Sequence, residues 1–480
     1  MRIPMRGTWA ALVMIVHLAA LGGCSGPQRQ PDLARMYNRA AQASDLDRNP
    51  VIVIPGILGS KLRDEATGRV VWGAFSGGFA NPETAAGARL VAVPMAEGKS
   101  LAELRDAVTP NGVLDDISIN LLFLPIELSA YRNILASLGV GGYRDESLGL
   151  AGSVDYGDEH FTCFQFDYDW RRDNIENAKR LHEFILAKKA YVREELKKKY
   201  GVDRPDVKFD IVAHSMGGLL ARYYLRYGDA DLPVDGPLPE PTWAGAEHVQ
   251  RLVMVGTPNG GSALAINQLL EGVKFAPIVP EYDAALLGTM PAIYQLLPRQ
   301  RHRPVVDKAT GEPLEGLYDA EVWRRMGWGL ASTRFDRTLA KLLPEVEDPQ
   351  RRRDIAFDHL RKCLARAERF HEALDRPADP PPPAGLELHL FAADSEPTRL
   401  SYSVDAATGR LRGLNREAGD GTVLRSSAVM DERLDGNWSP GLRSPIRWTS
   451  VRFLFTDHIG TTRDPAFTDN VLFILLEAPR

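Results

Sequence analysis

One run of residues constrains this chain more than any other: Ile211-Val212-Ala213-His214-Ser215-Met216-Gly217-Gly218. An apolar stretch leads into a serine set among small residues, and a helical pattern over 218–227 follows without a linker. A serine at such a strand-to-helix turn sits on a strained backbone, with its hydroxyl exposed at the carboxyl edge of a sheet. Strand and helix pack tightly there, so the positions two before and two after, Ala213 and Gly217, have to be small. The context points to Ser215 as a nucleophile rather than a helix cap.

A buried strand needs neighbours. The runs 51–54, 207–213, 251–256, 386–392 and 451–455 are short, apolar and bounded by turn residues, as expected of strands covered on both faces. Long helical stretches, notably 174–200, lie between them. This alternation predicts an α/β fold, a mostly parallel central sheet with helices on both faces, occupying 50–480. Two stretches break the rhythm and are expected as insertions over the sheet edge. One is a cap at about 75–152. The other is a lid or cap over 262–383, which holds Trp323 and Trp328 and ends in Asp379-Pro380-Pro381-Pro382-Pro383, a stiff connector.

A nucleophilic serine needs a base, and the base an orienting carboxylate, in the chain order serine, acid, histidine. Of ten histidines, His17 lies in the N-terminal apolar stretch, His160 and His182 precede the serine, and His214 alternates to the opposite side of the turn, a structural position. His248, His302, His359 and His371 fall before the last strands, and His389 lies mid-strand. His458 remains, in the loop directly after the last strand. Two acids compete to orient it. Asp394 ends the strand over 386–393, whereas Asp420 sits in Gly419-Asp420-Gly421, a pair of glycines that allows close approach but is also ordinary hairpin vocabulary. An oxyanion hole needs two N–H donors. Met216, after the nucleophile, supplies one, and Ile57 or Leu58, in the glycine turn after strand 51–54, the other.

The N-terminus reads as an address. Arg2 and Arg6 precede an apolar stretch over 9–21, too short to span a bilayer permanently. Leu21-Gly22-Gly23-Cys24 follows and resembles the lipobox of bacterial lipoproteins, with Cys24 as the lipidated residue. Residues 1–24 are thus expected to be signal peptide and lipobox, and the polar stretch 25–49 a tether. Ser25 rather than an aspartate retention signal follows Cys24, which favours the outer membrane, with plain secretion as the alternative. Three cysteines exclude a disulfide scaffold or a cysteine zinc cage, and a net charge of −5 gives no footprint for nucleic acid.

Several motifs resemble the lecithin:cholesterol acyltransferase family, which includes lysosomal phospholipase A2 and the phospholipid:diacylglycerol acyltransferases. They are Pro55-Gly56-Ile57-Leu58-Gly59-Ser60-Lys61-Leu62, Tyr168-Asp169-Trp170-Arg171, His214-Ser215-Met216-Gly217-Gly218, Thr257-Pro258-Asn259-Gly260-Gly261-Ser262, Met290-Pro291-Ala292-Ile293-Tyr294-Gln295-Leu296-Leu297-Pro298 and Gly419-Asp420-Gly421-Thr422-Val423, in family order. The resemblance implies an α/β-hydrolase core with cap and lid, cleaving a glycerolipid or phospholipid ester through an acyl-serine without metal or organic cofactor. It selects Asp420 over Asp394, implies Ile57 and Met216 as the oxyanion donors, and sets Trp72 where the family has a lid tryptophan near the acyl chain, with a buried aromatic anchor as an equal reading. Asp169 and Arg171 are expected to form a buried ion pair bracing the site. The acceptor would be water or a lipid alcohol, at a membrane surface. The disulfides of the animal enzymes have no counterpart, because only Cys163 and Cys363 remain after Cys24. Alternatives are a general carboxylesterase or triacylglycerol lipase, a serine peptidase of the same fold, and a non-catalytic lipid-binding surface lipoprotein, which would need no ordered triad.

Overall fold

The computed structural model describes residues 31–42, 48–73, 79–114, 130–148, 160–274, 280–377, 379–433 and 439–478. The signal peptide, Cys24 and the first part of the tether lie outside the described residues.

Twelve strands are present among them: β1 Val51–Ile54, β2 Ser60–Asp64, β3 Val70–Trp72, β4 Val108–Val113, β5 Cys163–Gln165, β6 Phe209–His214, β7 Val249–Val255, β8 Val305–Asp307, β9 Glu387–Ala393, β10 Glu396–Val404, β11 Leu411–Gly419 and β12 Ser450–Leu454. Six build the central sheet in the order β12-β9-β7-β6-β1-β5, and every pair in it is parallel. The strand alternation divides the core in two. Ile52, Ile54, Ile211, Ala213, Leu252 and Met254 face one way, under the helices Asn174–Tyr200 and Met216–Tyr227. Val51, Val53, Val212, Val253, Val255 and Phe391 face the other, against Ala130–Val140 and Pro465–Leu476. Strands buried on both faces have no polar side to show, which is why they read as continuous apolar runs.

The chain leaves β1 for β5 on one side and returns through β6 on the other, so the strand order reverses at β1. Ligand sites in such sheets lie where the order reverses, outside the carboxyl ends of the strands. Here those ends carry Pro55-Gly56 after β1 and Ser215 after β6.

The structure departs from the sequence reading in three places. The stretch read as a tether contains the helix Leu33–Gln42, whose Tyr37 and Ala41 are buried and whose Tyr37 Oη donates to the Asp469 backbone oxygen at 2.9 Å and to its carboxylate at 2.8 Å. Leu33, Tyr37 and Ala41, four residues apart, make a narrow apolar stripe that the surrounding polar residues conceal. The expected cap over 75–152 is not all insertion either, since Ala130–Val140 is a full member of one helix layer, with Tyr131, Ile134 and Leu138 in the core. The third departure is the antiparallel hairpin β10–β11, which stands with β8 in a second sheet. The segment 262–383 is largely helical and includes the long helix Pro349–Asp375. Trp323 and Trp328 meet edge to face inside it, 5.7 Å apart.

A free tether would tolerate the loss of its one tyrosine. Tyr37→Ala is instead expected to cost about 3 kcal/mol of unfolding free energy in urea, and a change within about 0.5 kcal/mol would show that the helix does not pack as described.

Candidate active site

Ser215 has φ 50° and ψ −124°, a conformation that costs a non-glycine residue roughly 1–3 kcal/mol and persists only where its surroundings enforce it. The enforcement is visible. The Ser215 N–H donates to the Val255 carbonyl at 2.8 Å, locking the turn onto β7. A Cβ added at Gly217 would lie 2.4 Å from the Pro55 oxygen, and one at Gly218 would lie 2.0 Å from Thr257 Oγ1. The helix begins immediately at Met216.

His458 reaches this serine from the loop after β12. Its Nε2 is 3.2 Å from Ser215 Oγ, and its Nδ1 is 2.6 Å from Asp420 Oδ2. A carboxylate only accepts, so Nδ1 carries the proton and Nε2 is left to accept from the serine hydroxyl. All three residues are buried, with relative exposures of 6% for Ser215, 2% for Asp420 and 4% for His458. The other Asp420 oxygen accepts from the N–H groups of Thr422 and Val423 at 2.9 and 2.6 Å, and the His458 N–H donates to the Asp420 carbonyl at 2.9 Å. Gly256, at φ 58°, makes room for the imidazole, since a Cβ there would sit 3.0 Å from His458 Cε1. Asp394 is elsewhere engaged, paired with Arg425.

The loop after β1 is tied from several sides. Leu58 holds a left-handed φ of 66°, and its carbonyl accepts from Trp72 Nε1 at 2.7 Å. Trp72 is 5% exposed and meets Trp170 edge to face, so of its two readings the structure supports the buried anchor. Tyr168 Oη donates to the Pro55 carbonyl at 2.9 Å, and Trp170 Nε1 donates to the Ser60 carbonyl at 3.1 Å. In the same segment, Asp169 and Arg171 form a bidentate buried pair at 2.9 and 2.7 Å, and Arg171 also binds Asp106. Among the described residues the amides of Ile57 and Met216 make no hydrogen bond, so both N–H groups are available to a ligand oxygen.

Three further roles were missed in the sequence. Tyr131 Oη accepts from the Gly56 N–H at 2.9 Å and lies 3.4 Å from His214 Nδ1. His214 does not point away from the site, because its ring centre is 5.0 Å from that of His458. Full burial, reinforced by the neighbouring His458, pulls its pKa down to about 3. The third role belongs to the motif over 257–262: Ser262 Oγ donates to the Thr422 carbonyl at 2.6 Å, and Asn259 Nδ2 to that of Ala428 at 2.7 Å, which together hold the loop that bears Asp420. The segment 290–298 lies inside the protein, its Leu296 carbonyl accepting from the Ser262 N–H at 2.8 Å.

A parallel sheet whose reversal point carries a strained serine, hydrogen-bonded through histidine to a carboxylate, defines an α/β-hydrolase. Over residues 153–329 the chain matches the family model described as Lecithin:cholesterol acyltransferase. A chain of the solved Tle4-Tli4 complex superposes with a TM-score of 0.52 at 18% identity, covering 91% of this chain and 100% of that one, and shows the same fold. The mature form of Bacillus licheniformis lipase BlEst2 is similar over 90% of this chain and 93% of its own, at 13% identity and a TM-score of 0.30. Lipase 1 from Pelosinus fermentans is similar over 91% of this chain and 100% of its own, at 13% identity and a TM-score of 0.30. No curated protein sequence matches the chain.

The depressed His214 pKa has a consequence for stability. The unfolded imidazole takes up its proton near pH ~6.5, well before the buried one does. Stability is therefore complete above that pH and falls as pH drops from about 6.5 toward 3. In urea titrations His214→Gln is expected to lessen this decline by up to about 1.4 kcal/mol per pH unit, and an unchanged slope would refute a buried neutral His214.

Proposed function

We propose that the protein is a serine-dependent acyl-transfer enzyme acting on lipid esters, with Ser215, His458 and Asp420 as its triad. The observation that carries this reading is the position of His458, within hydrogen-bond reach of both Ser215 Oγ and Asp420 Oδ2. In the reaction, His458 Nε2 takes the hydroxyl proton as Ser215 Oγ attacks the ester carbonyl. Asp420 holds the imidazole in the competent tautomer and stabilises the imidazolium. The N–H groups of Ile57 and Met216 receive the developing oxyanion, an interaction each worth about 3 kcal/mol when aimed at the transition state. His458 then protonates the departing alcohol. A second hydroxyl, from water or a lipid alcohol, attacks the acyl carbonyl as His458 takes its proton; the bond to Ser215 Oγ then breaks and His458 returns that proton to the serine oxygen.

The lipid substrate class is supported by the family match, which spans the serine and the segment 290–298. The same proposal takes Cys24 as a lipidated N-terminus that holds the enzyme at a membrane surface, the outer membrane of a bacterium, where its substrates lie. A non-catalytic lipid binder would have no use for a strained serine buried beside an oriented imidazole.

Ser215→Ala is expected to abolish fluorophosphonate labelling and to lower ester turnover by about 10⁶-fold, and Asp420→Asn by about 10⁴-fold. Asp394→Asn should stay within a few-fold of the parent, because its carboxylate serves Arg425. A loss for Asp394→Asn comparable to that for Asp420→Asn would overturn the assignment. Labelled phosphatidylcholine, supplied with and without a diacylglycerol or sterol acceptor, separates the two acyl fates: free fatty acid alone marks hydrolysis, and a new neutral ester marks transfer.

A further inference from the structure

The nucleophile-bearing helix Met216–Tyr227 ends in a charge arrangement that the proposed chemistry does not use. Arg222 and Arg226, one turn apart on it, are 5% and 4% exposed. Both reach the carboxyl end of Pro349–Asp375. Arg222 Nη2 donates to the Leu374 carbonyl at 3.0 Å, Arg226 Nη1 to the same oxygen at 2.6 Å, and Arg226 Nη2 to the Arg376 carbonyl. Arg222 Nη1 donates to Asn259 Oδ1 at 2.9 Å.

These contacts satisfy hydrogen bonds but not charge. A helix carboxyl end carries roughly half a negative charge, against two guanidinium ions. Among the described residues no carboxylate pairs with either arginine. The nearby Asp375 is taken up by Arg299 at 2.8 Å and Arg301 at 2.9 Å. Arg226 Nε, also buried, makes no hydrogen bond among the described residues, and its guanidinium carbon lies 5.7 Å and 5.9 Å from the ring centres of Tyr227 and Trp243, neutral rings that supply no counter-charge. Burial is the largest influence on Arg222 and, with the neighbouring Arg226 and Arg299, outweighs Asp375 to pull its pKa down to about 9. Arg226 moves in the same direction, again chiefly through burial.

The two arginines line a cavity of about 230 Å³. Trp243, Leu388 and Ile446 contribute apolar surface to it, Arg447 is a third cation, exposed to solvent, and no acidic residue lines it. Among the described residues Arg447 has neither an ion pair nor a hydrogen bond. Buried cations without counter-ions are costly, and guanidinium forks match the oxygens of a phosphoryl group. The volume corresponds to about eight waters at ~30 Å³ each, ample for a phosphate group and too small for a long acyl chain. The helix rises about 15 Å from Met216 to Arg226, so the cavity lies at the far end from the serine. We propose that the cavity lined by Arg222, Arg226 and Arg447 is a binding site for a phosphoryl anion, either free phosphate or a phospholipid headgroup.

The test uses the full chain and does not depend on the catalytic reading. Thermal unfolding is followed against inorganic phosphate, with chloride at matched ionic strength as the reference. Flotation with phosphatidic acid vesicles is measured in parallel. Arg447 is exposed, so Arg447→Glu should fold normally, and Arg226→Gln serves as a second variant. A saturable rise in the unfolding midpoint with phosphate, its apparent Kd raised at least five-fold in Arg447→Glu, would assign a free-anion site. Flotation that is lost in Arg447→Glu would assign the headgroup. If neither phosphate binding nor flotation responds to Arg447→Glu, the proposal is wrong.

Discussion

The site depends on the close approach of two backbones. Where β6 turns into its helix, Ser215 is folded against the chain leaving β1, and a Cβ at Gly56 would come within 2.8 Å of the Ser215 Cβ. The turn is strained, and the parallel pairing of β6 with β1 and β7 on either side holds it. That contact sets Ser215 against the β1 loop, whose Ile57 amide, like that of Met216, makes no hydrogen bond among the described residues. The remaining features of the mouth, from the aromatics around the β1 loop to the motif over 257–262, hold this juxtaposition in place.

Aromatic residues fix the β1 loop through hydrogen bonds to its carbonyls rather than by packing alone. Trp72, Trp170 and Tyr168 each direct one polar atom at a backbone oxygen of the segment 55–60. Such buried donors find a partner or exact a penalty, so each bond selects one conformation of the loop. The left-handed Leu58 is then a consequence of fixed neighbours. Tyr131 adds a fourth tie and links the loop to His214, hence to the surroundings of His458.

What the sequence revealed follows from where the signals were local. Each main strand is a continuous apolar run, and the strand–serine–helix junction is written within eight residues, so the sheet and its reversal point were legible. The histidine was reachable by elimination. The carboxylate was harder: in the residues themselves Asp394 and Asp420 stood as competitors, and Asp-Gly reads most simply as a turn. The reason is the hairpin β10–β11, whose outer strand is exposed almost throughout and so carries no alternating pattern to betray it. Tyr131 and Tyr37 were invisible for a different reason, because their partners lie 75 and more than 400 residues away.

The packed helix Leu33–Gln42 shortens the distance at which a lipid-anchored body could stand. Were Cys24 lipidated, as proposed, the chain length between it and a free body starting at 50 would set an upper bound of about 90 Å; with Tyr37 fixed beside Asp469, the eight residues before Leu33 set an upper bound of about 29 Å. Under the proposed lipidation of Cys24, so short a reach would confine the protein to a narrow disc of one leaflet rather than the space above it.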